Sequence, residues 1–207
     1  CPVGALKNTS EKMTADEVFD EVMKDYPYYK NSNGGLTVSG GEVLMNSDFA
    51  YELIKKVKEE YISTAIETSG FGNYSGLEKV AKVTDYILFD IKHMYEKIHE
   101  EITGVSNKII LANLKKLSEW HKNIIIRVPL LKGVNDTEDN IIKTIEFVKE
   151  MKLNEIHILP YHTLGLEKYR QLKMTYMGND YKKHTPEDLE KVREMVEAGG
   201  LKCKING

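Results

Sequence analysis

Five stretches of this sequence end in side chains that can hold a zwitterion joined to a sugar. They are Ser39-Gly40-Gly41-Glu42, Glu67-Thr68-Ser69-Gly70, Asp90-Ile91-Lys92-His93, Arg127 with Pro129 and Lys132-Gly133, and Pro160-Tyr161-His162. Two adjacent glycines let main-chain groups approach a ligand closely, and Glu42 offers an acceptor for an ammonium. Lys92 and Arg127 can meet a carboxylate, arginine through a two-pronged fork. Asp90 and His162 can hydrogen-bond hydroxyls such as those of a ribose. No phosphate-cradling GxxxxGK[ST] or GxGxxG run occurs.

Each item also has a plain reading. A lone GGE makes a tight turn, Asp90 and Lys92 lie two apart and can form a structural ion pair, Arg127 can pair with a carboxylate, and His162 can be an ordinary loop histidine. What joins them is position. Each follows a short β-branched run: Leu36–Ser39, Thr64–Thr68, Tyr86–Ile91, Ile124–Leu131 and Ile156–Leu159. The runs start roughly 30 residues apart, the length of a strand, a crossover helix and two loops, which predicts repeated βα units on a parallel sheet. Ligands of such folds bind where strand C-termini meet the following loops.

The helices between the runs carry start signals. Thr14 with Glu17 has capping-box spacing. Ser47 is placed to cap a helix with Phe49, Leu53, Ile54 and Val57 on one face. Asn107 opens one with Ile110, Leu111, Leu114 and Leu117, and Thr137 one with Ile141, Ile142, Ile145, Phe147 and Val148. Thr185-Pro186 starts a helix bearing Leu189, Val192 and Val196, which Gly199-Gly200 ends before a last strand, Leu201 to Ile205. A closed eight-unit barrel takes about 250 residues; this chain has 207, which predicts an open or partial barrel.

Composition excludes several classes. Basic and acidic residues number 29 and 32 and are interleaved, which argues against a nucleic-acid partner. No apolar run approaches the ~20 residues of a membrane helix, and no secretory signal is visible. Two cysteines, Cys1 and Cys203, do not form a disulfide framework, so a cytoplasmic protein is expected. A sequence opening at Cys1-Pro2 without an initiator methionine is expected to be part of a longer protein.

The order SGGE, ETSGF, DIKHM with ITGVSN, RVPLLKGVND and LPYHTLGLEKY resembles the radical S-adenosylmethionine (radical SAM) glycyl-radical-enzyme activating enzymes, across nearly the whole chain. The resemblance implies an α/β fold, a partial (β/α)6 barrel lacking its first strand, with S-adenosylmethionine across the top. It implies that Gly40, Gly41 and Glu42 hold the methionine amino group, and that Asp90 and Lys92 contact the carboxylate and ribose region. Thr68, Arg127 and His162 make further contacts. Glu67, Thr68 and Asp90 fall where some members bind a monovalent cation, with Glu67 one methylene longer than the family's Asp. Val43 stands where proline is common.

Family members hold a 4Fe-4S cluster by CxxxCxxC; this sequence has no such spacing, so no catalytic residue is assigned within it and the chain by itself is expected to be inactive. Cys1-Pro2 with Gly4-Ala5-Leu6 resembles the end of a ferredoxin-like insert. The resemblance therefore divides the chain into residues 1–6, ending that insert, and 7–207, the barrel, with Cys1 the last ligand of an additional ferredoxin-type cluster. Cys203 is read as a small core residue. The implied partners are a glycyl-radical enzyme, of dehydratase, decarboxylase or amine-lyase type, and a flavodoxin or ferredoxin electron donor. Tyr169, Met174, Tyr176 and Tyr181 follow the last motif and are candidates either for partner contact or for helix packing. Two rival readings remain: a binding module for S-adenosylmethionine or the partner without chemistry, and a β/α-barrel lyase forming a Schiff base on Lys92.

Overall fold

The computed structural model describes residues 11–163, 166–174 and 181–206. Among them, six strands form one parallel sheet in sequential order: β1 (Gly35–Val38), β2 (Ser63–Thr68), β3 (Tyr86–Asp90), β4 (Ile124–Leu130), β5 (Glu155–Pro160) and β6 (Lys202–Ile205). Every neighbouring pair is parallel. Sequential order with helical crossovers is the arrangement of a partial β/α barrel, and it brings all strand C-termini to one end. The strands fall within a residue or two of the predicted runs.

The helices are α1 (Ala15–Met23), α2 (Tyr26–Ser32), α3 (Ser47–Glu59), α4 (Tyr74–Ala81), α5 (Glu96–Thr103), α6 (Lys108–Ser118), α7 (Glu138–Glu150), α8 (Leu166–Gln171) and α9 (Pro186–Ala198). Strand β4 alternates buried and half-buried residues along its length. Its buried face, with Ile66, Ile87, Phe89, Ile124, Ile126 and Ile156 of the sheet, packs against α3, α4, α6, α7 and α9 in one continuous core. A second cluster joins α1 and α3 through Ala15, Leu53, Val57 and Ile62. The half-buried face carries Glu67, Asp90 and Arg127, so polar side chains stand on the open side of the sheet.

Several local expectations change. Thr14, Thr137 and Thr185 cap their helices as predicted. Ser47 does not cap α3; a 3-10 turn over Val43–Asn46 precedes it, Asn46 is the N-cap residue and Ser47 is already helical. Asn107 is the N-cap residue of α6, but its side chain makes no capping bond. Ile142 faces solvent instead of the core, because it lies about 100° around the helix from Ile141. Four helices escape the sequence patterns. α2 holds Pro27 and has no fully buried residue, α4 and α5 are eight-residue helices, and α8 has six residues. No helix among the described residues is long and apolar enough to cross a membrane.

Helix α4 starts at Asn73, whose Oδ1 accepts the Ser75 main-chain N–H at 3.0 Å. Asn73→Ala is expected to lower stability by about 1 kcal/mol, the usual worth of such a cap. It should appear as a lower urea midpoint with an unchanged slope.

Candidate functional site

The ends of β1 to β4 frame an open cleft of about 360 Å³, lined by Ser39, Gly40, Gly41, Glu42, Glu67, Thr68, Ser69, Asp90, Lys92 and Arg127. Strand register explains the meeting of the charged groups. Asp90 and Arg127 are direct partners across β3 and β4, and Arg127 Nε donates to Asp90 Oδ1 at 3.0 Å. Arg127 Nη1 also donates to Glu67 Oε1, so one guanidinium bridges carboxylates from two other strands. The remaining oxygens are taken as well: Ser39 Oγ donates to Glu67 Oε2 at 2.6 Å, and Lys92 Nζ stands 3.3 Å from Asp90 Oδ2.

Burial alone would raise the Glu67 carboxyl, but hydrogen bonds from Ser39 and Arg127 and the guanidinium charge outweigh it and hold the group below its ordinary value. Burial opposes the Arg127 charge too, and Asp90 with Glu67 more than restores it. The network therefore holds two carboxylates and two cations over one cleft.

Glu42 is fixed by four protein donors. Its Oε1 accepts from Leu44 N at 3.2 Å and Thr68 Oγ1 at 2.5 Å; its Oε2 accepts from Ser69 N at 2.8 Å and Ser69 Oγ at 2.5 Å. A carboxylate offers about four lone-pair sites, so this side chain ties the β1 loop to the β2 loop while its charge lines the cleft. The glycines before it have room. A Cβ at Gly40 or Gly41 would meet no protein atom within 4 Å, and Gly40 has φ +131°, which favours glycine. Their main-chain groups are open to a ligand, an arrangement that fits the amino-acid end of S-adenosylmethionine.

The cation and cluster positions fare differently. Each oxygen of Glu67 and Asp90 already accepts from the protein, and Thr68 Oγ1 donates to Glu42 and accepts from Gly70 N. One donor per oxygen leaves each of these oxygens a further lone pair, while Arg127 and Lys92 already set two positive charges against the two carboxylates. Among the described residues, no group of three or more His, Cys, Asp or Glu side chains could hold a metal. Cys203, half-buried on β6, has its thiol pushed up to about 11, chiefly by burial, which keeps the thiol protonated and poorly reactive at neutral pH. Cys1 and the ferredoxin-like boundary at residues 1–6 lie outside the described residues.

His162 follows β5 at the same end of the sheet, but it is exposed and does not line the cleft. His93, beside Lys92, is buried, and burial pushes its imidazole down; its Nδ1 accepts from Tyr95 N at 3.0 Å. Tyr169 and Met174 are exposed, the Tyr181 ring lies edge-on to Tyr161 at 5.8 Å, and Tyr176 lies outside the described residues.

The sequence places Ser39 and Ser69 in the strand-end stretches without a role of their own, and it gives no specific sign that four buried asparagines hold the loops. Asn113 Nδ2 donates to the carbonyls of Gly70 and Gly72, and Asn107 Nδ2 to those of His93 and Met94. Asn135 and Asn140 make similar bonds further along the rim. Their sole signal in the sequence is asparagine just after a strand or within a helix, which also describes caps and turns.

Residues 1–159 match the family model for the radical SAM superfamily. Over 94% of its length the chain is 39% identical to the choline trimethylamine-lyase activating enzyme of Oleidesulfovibrio alaskensis, covering 64% of that protein. Over 98% of its length it is 37% identical to the trans-4-hydroxy-L-proline dehydratase activating enzyme of Clostridioides difficile, covering 68% of that protein. The chain thus spans about two thirds of the length of these curated relatives. A crystal structure of a domain of pyruvate-formate lyase-activating enzyme from Bacteroides vulgatus aligns with a TM-score of 0.71 at 27% identity, covering 84% of this chain and 99% of that one. With the ordered motifs, the parallel sheet and the cleft at its C-terminal end, these likenesses lead to one conclusion: the chain belongs to the radical SAM superfamily, among the glycyl-radical-enzyme activating enzymes.

Proposed function

We propose that this chain supplies the S-adenosylmethionine-binding part of an activating enzyme that takes hydrogen from a backbone glycine of a partner glycyl-radical enzyme. The observation that carries the reading is the single cleft where Gly40, Gly41, Glu42, Asp90, Lys92 and Arg127 meet. When bound, a 4Fe-4S cluster reduced by a flavodoxin or ferredoxin supplies the electron that cleaves S-adenosylmethionine and so generates the hydrogen-abstracting species. The residues of this chain bind and orient. Lys92 presents positive charge to the methionine carboxylate, and the open main chain at Gly40 and Gly41 receives the ammonium, with the negative charge of Glu42, whose lone pairs are already taken, beside it. Asp90, braced by Arg127, offers a carboxylate to the ribose hydroxyls. His162, at the same end of the sheet, serves the outer part of the ligand. The additional cluster at Cys1 and the cytoplasmic setting complete the reading.

The Schiff-base alternative has less support. Catalytic lysines of that kind sit in apolar pockets or beside another cation, whereas Lys92 is paired with Asp90. Lys92→Met in the full-length protein is expected to weaken S-adenosylmethionine binding at least about tenfold, as loss of a partly buried charge contact does, with little change in melting temperature. Equilibrium binding checks it, and an unchanged affinity would remove Lys92 from the site.

A further inference from the structure

Asn135 lies fully buried in the loop after β4, and its side chain joins two loops that end in site residues. Its Nδ2 donates to the Lys92 carbonyl and to the Pro129 carbonyl, each at 2.8 Å, and its Oδ1 accepts the Leu131 N–H at 2.7 Å. Both amide hydrogens are therefore used, one on each side of the gap between β3 and β4. The main chain of Asn135 is held in turn: its carbonyl accepts from Asn140 Nδ2 at 2.8 Å, and Asn140 Oδ1 accepts from Met94 N at 3.0 Å. The two asparagines thus fasten residues 92–94 to residues 129–135 and to the first turns of α7.

We propose that Asn135 is a positioning residue for ligand binding, setting where Lys92 stands relative to Arg127. Strand pairing alone does not do this. Ladder contacts place Asp90 against Arg127, but Lys92 lies two residues beyond β3, where the Ile91 N–H still reaches the Arg127 carbonyl at 2.9 Å and the β3–β4 ladder then ends. From there the Lys92 main chain is fixed to β4 through Asn135. Buried amides with every hydrogen satisfied are rigid connectors, because each broken bond leaves a desolvated carbonyl. The inference rests on the reading of the cleft as the S-adenosylmethionine site, and its test separates the two.

The test uses the full-length protein with its cluster, as wild type, Asn135→Ser, Lys92→Met and the double variant, and measures equilibrium affinity for S-adenosylmethionine. Asn135→Ser is expected to weaken binding about fivefold in the wild-type background and less than about twofold when Lys92 is already methionine, the signature of coupled residues. Equal losses in both backgrounds would overturn the proposal, since a general loosening of the fold acts alike on both. Hydrogen exchange gives a second readout that needs no ligand. Segments 91–95 and 129–135 should exchange faster in Asn135→Ser than in wild type, with β2 and the rest of β3 unchanged; no change in those segments would also overturn it. A wild-type protein that shows the loop coupling but does not bind S-adenosylmethionine would sink both the reading of the cleft and the assignment of Asn135 to ligand positioning, leaving Asn135 as a structural connector. Asn135→Asp, which sets a carboxylate against two carbonyl oxygens, should exceed the serine variant in both readouts if it folds.

Discussion

Arg127→Met is expected to destabilise the chain by about 3 kcal/mol at neutral pH, because removing one partner of a buried ion pair leaves the other charge uncompensated. Here one guanidinium serves two carboxylates. The Arg127 side chain is 14% exposed, and Glu67 and Asp90 are 29% and 17% exposed, so water replaces the lost contacts incompletely. The pH dependence gives the prediction its sign. In the wild type Glu67 is held below its ordinary value despite burial, through Ser39 and Arg127. A carboxyl depressed in the folded state adds stability that is present above its unfolded value and lost as pH falls through the folded one. Without Arg127, burial remains and the arginine's contribution is gone, so Glu67 takes up a proton at higher pH. The penalty should be largest near neutrality and shrink as the pH falls through the ordinary carboxylate range and below it. Urea unfolding of both proteins at several pH values measures this; a penalty independent of pH would mean that Arg127 matters through its packing instead of its charge. S-adenosylmethionine affinity should fall as well, because Asp90 loses the partner that aims it.

The second large effect is expected at Gly70, in the loop after β2. Gly70 has φ +71°, and a Cβ there would stand 2.2 Å from Phe89 Cζ, within a side chain buried at the centre of the core. Gly70→Ala therefore meets both backbone strain of about 1 kcal/mol or more and an overpacked core at 1–3 kcal/mol, together about 3 kcal/mol. The loop would also pull away from Asn113, whose Nδ2 holds the Gly70 carbonyl at 2.8 Å. Gly41→Ala makes the contrast: its Cβ meets no protein atom within 4 Å, so stability should change by less than about 0.5 kcal/mol while ligand binding weakens. Thermal melts beside binding measurements on both variants separate a glycine needed for the fold from one needed by the cleft. Equal stability losses would refute that division.

Much of the fold is legible in the residues themselves. Strands buried on one face by helices are written as runs such as Ile124-Ile125-Ile126, and their regular spacing with capped helices between them specifies parallel βα units. The long helices are legible too, since α3, α6 and α7 repeat apolar residues at helical spacing over eleven or thirteen residues. The short helices α2, α4 and α5 are not, because seven or eight residues carry too few periods for a pattern to stand out. Asn46 and Ser47 show how local chemistry misleads. Both are good capping residues, yet the 3-10 turn that follows Glu42 puts Asn46 at the N-cap position with no side-chain capping bond and Ser47 already in the helix.

For the site, the sequence by itself determined which charged and glycine residues arrive at the strand ends, because strand order and loop position follow from the pattern. Tertiary structure decided how those groups share one another. Register set Asp90 beside Arg127, the reach of Glu67 brought a second carboxylate to the same guanidinium, and Glu42 spent its lone pairs joining two loops. It also decided that His162 stands outside the cleft while Asn135, fully buried, holds two of its walls together. Hydrogen bonds between residues 43 or 60 positions apart depend on distances that exist once the sheet has curved and the helices have packed, and linear spacing carries no record of them.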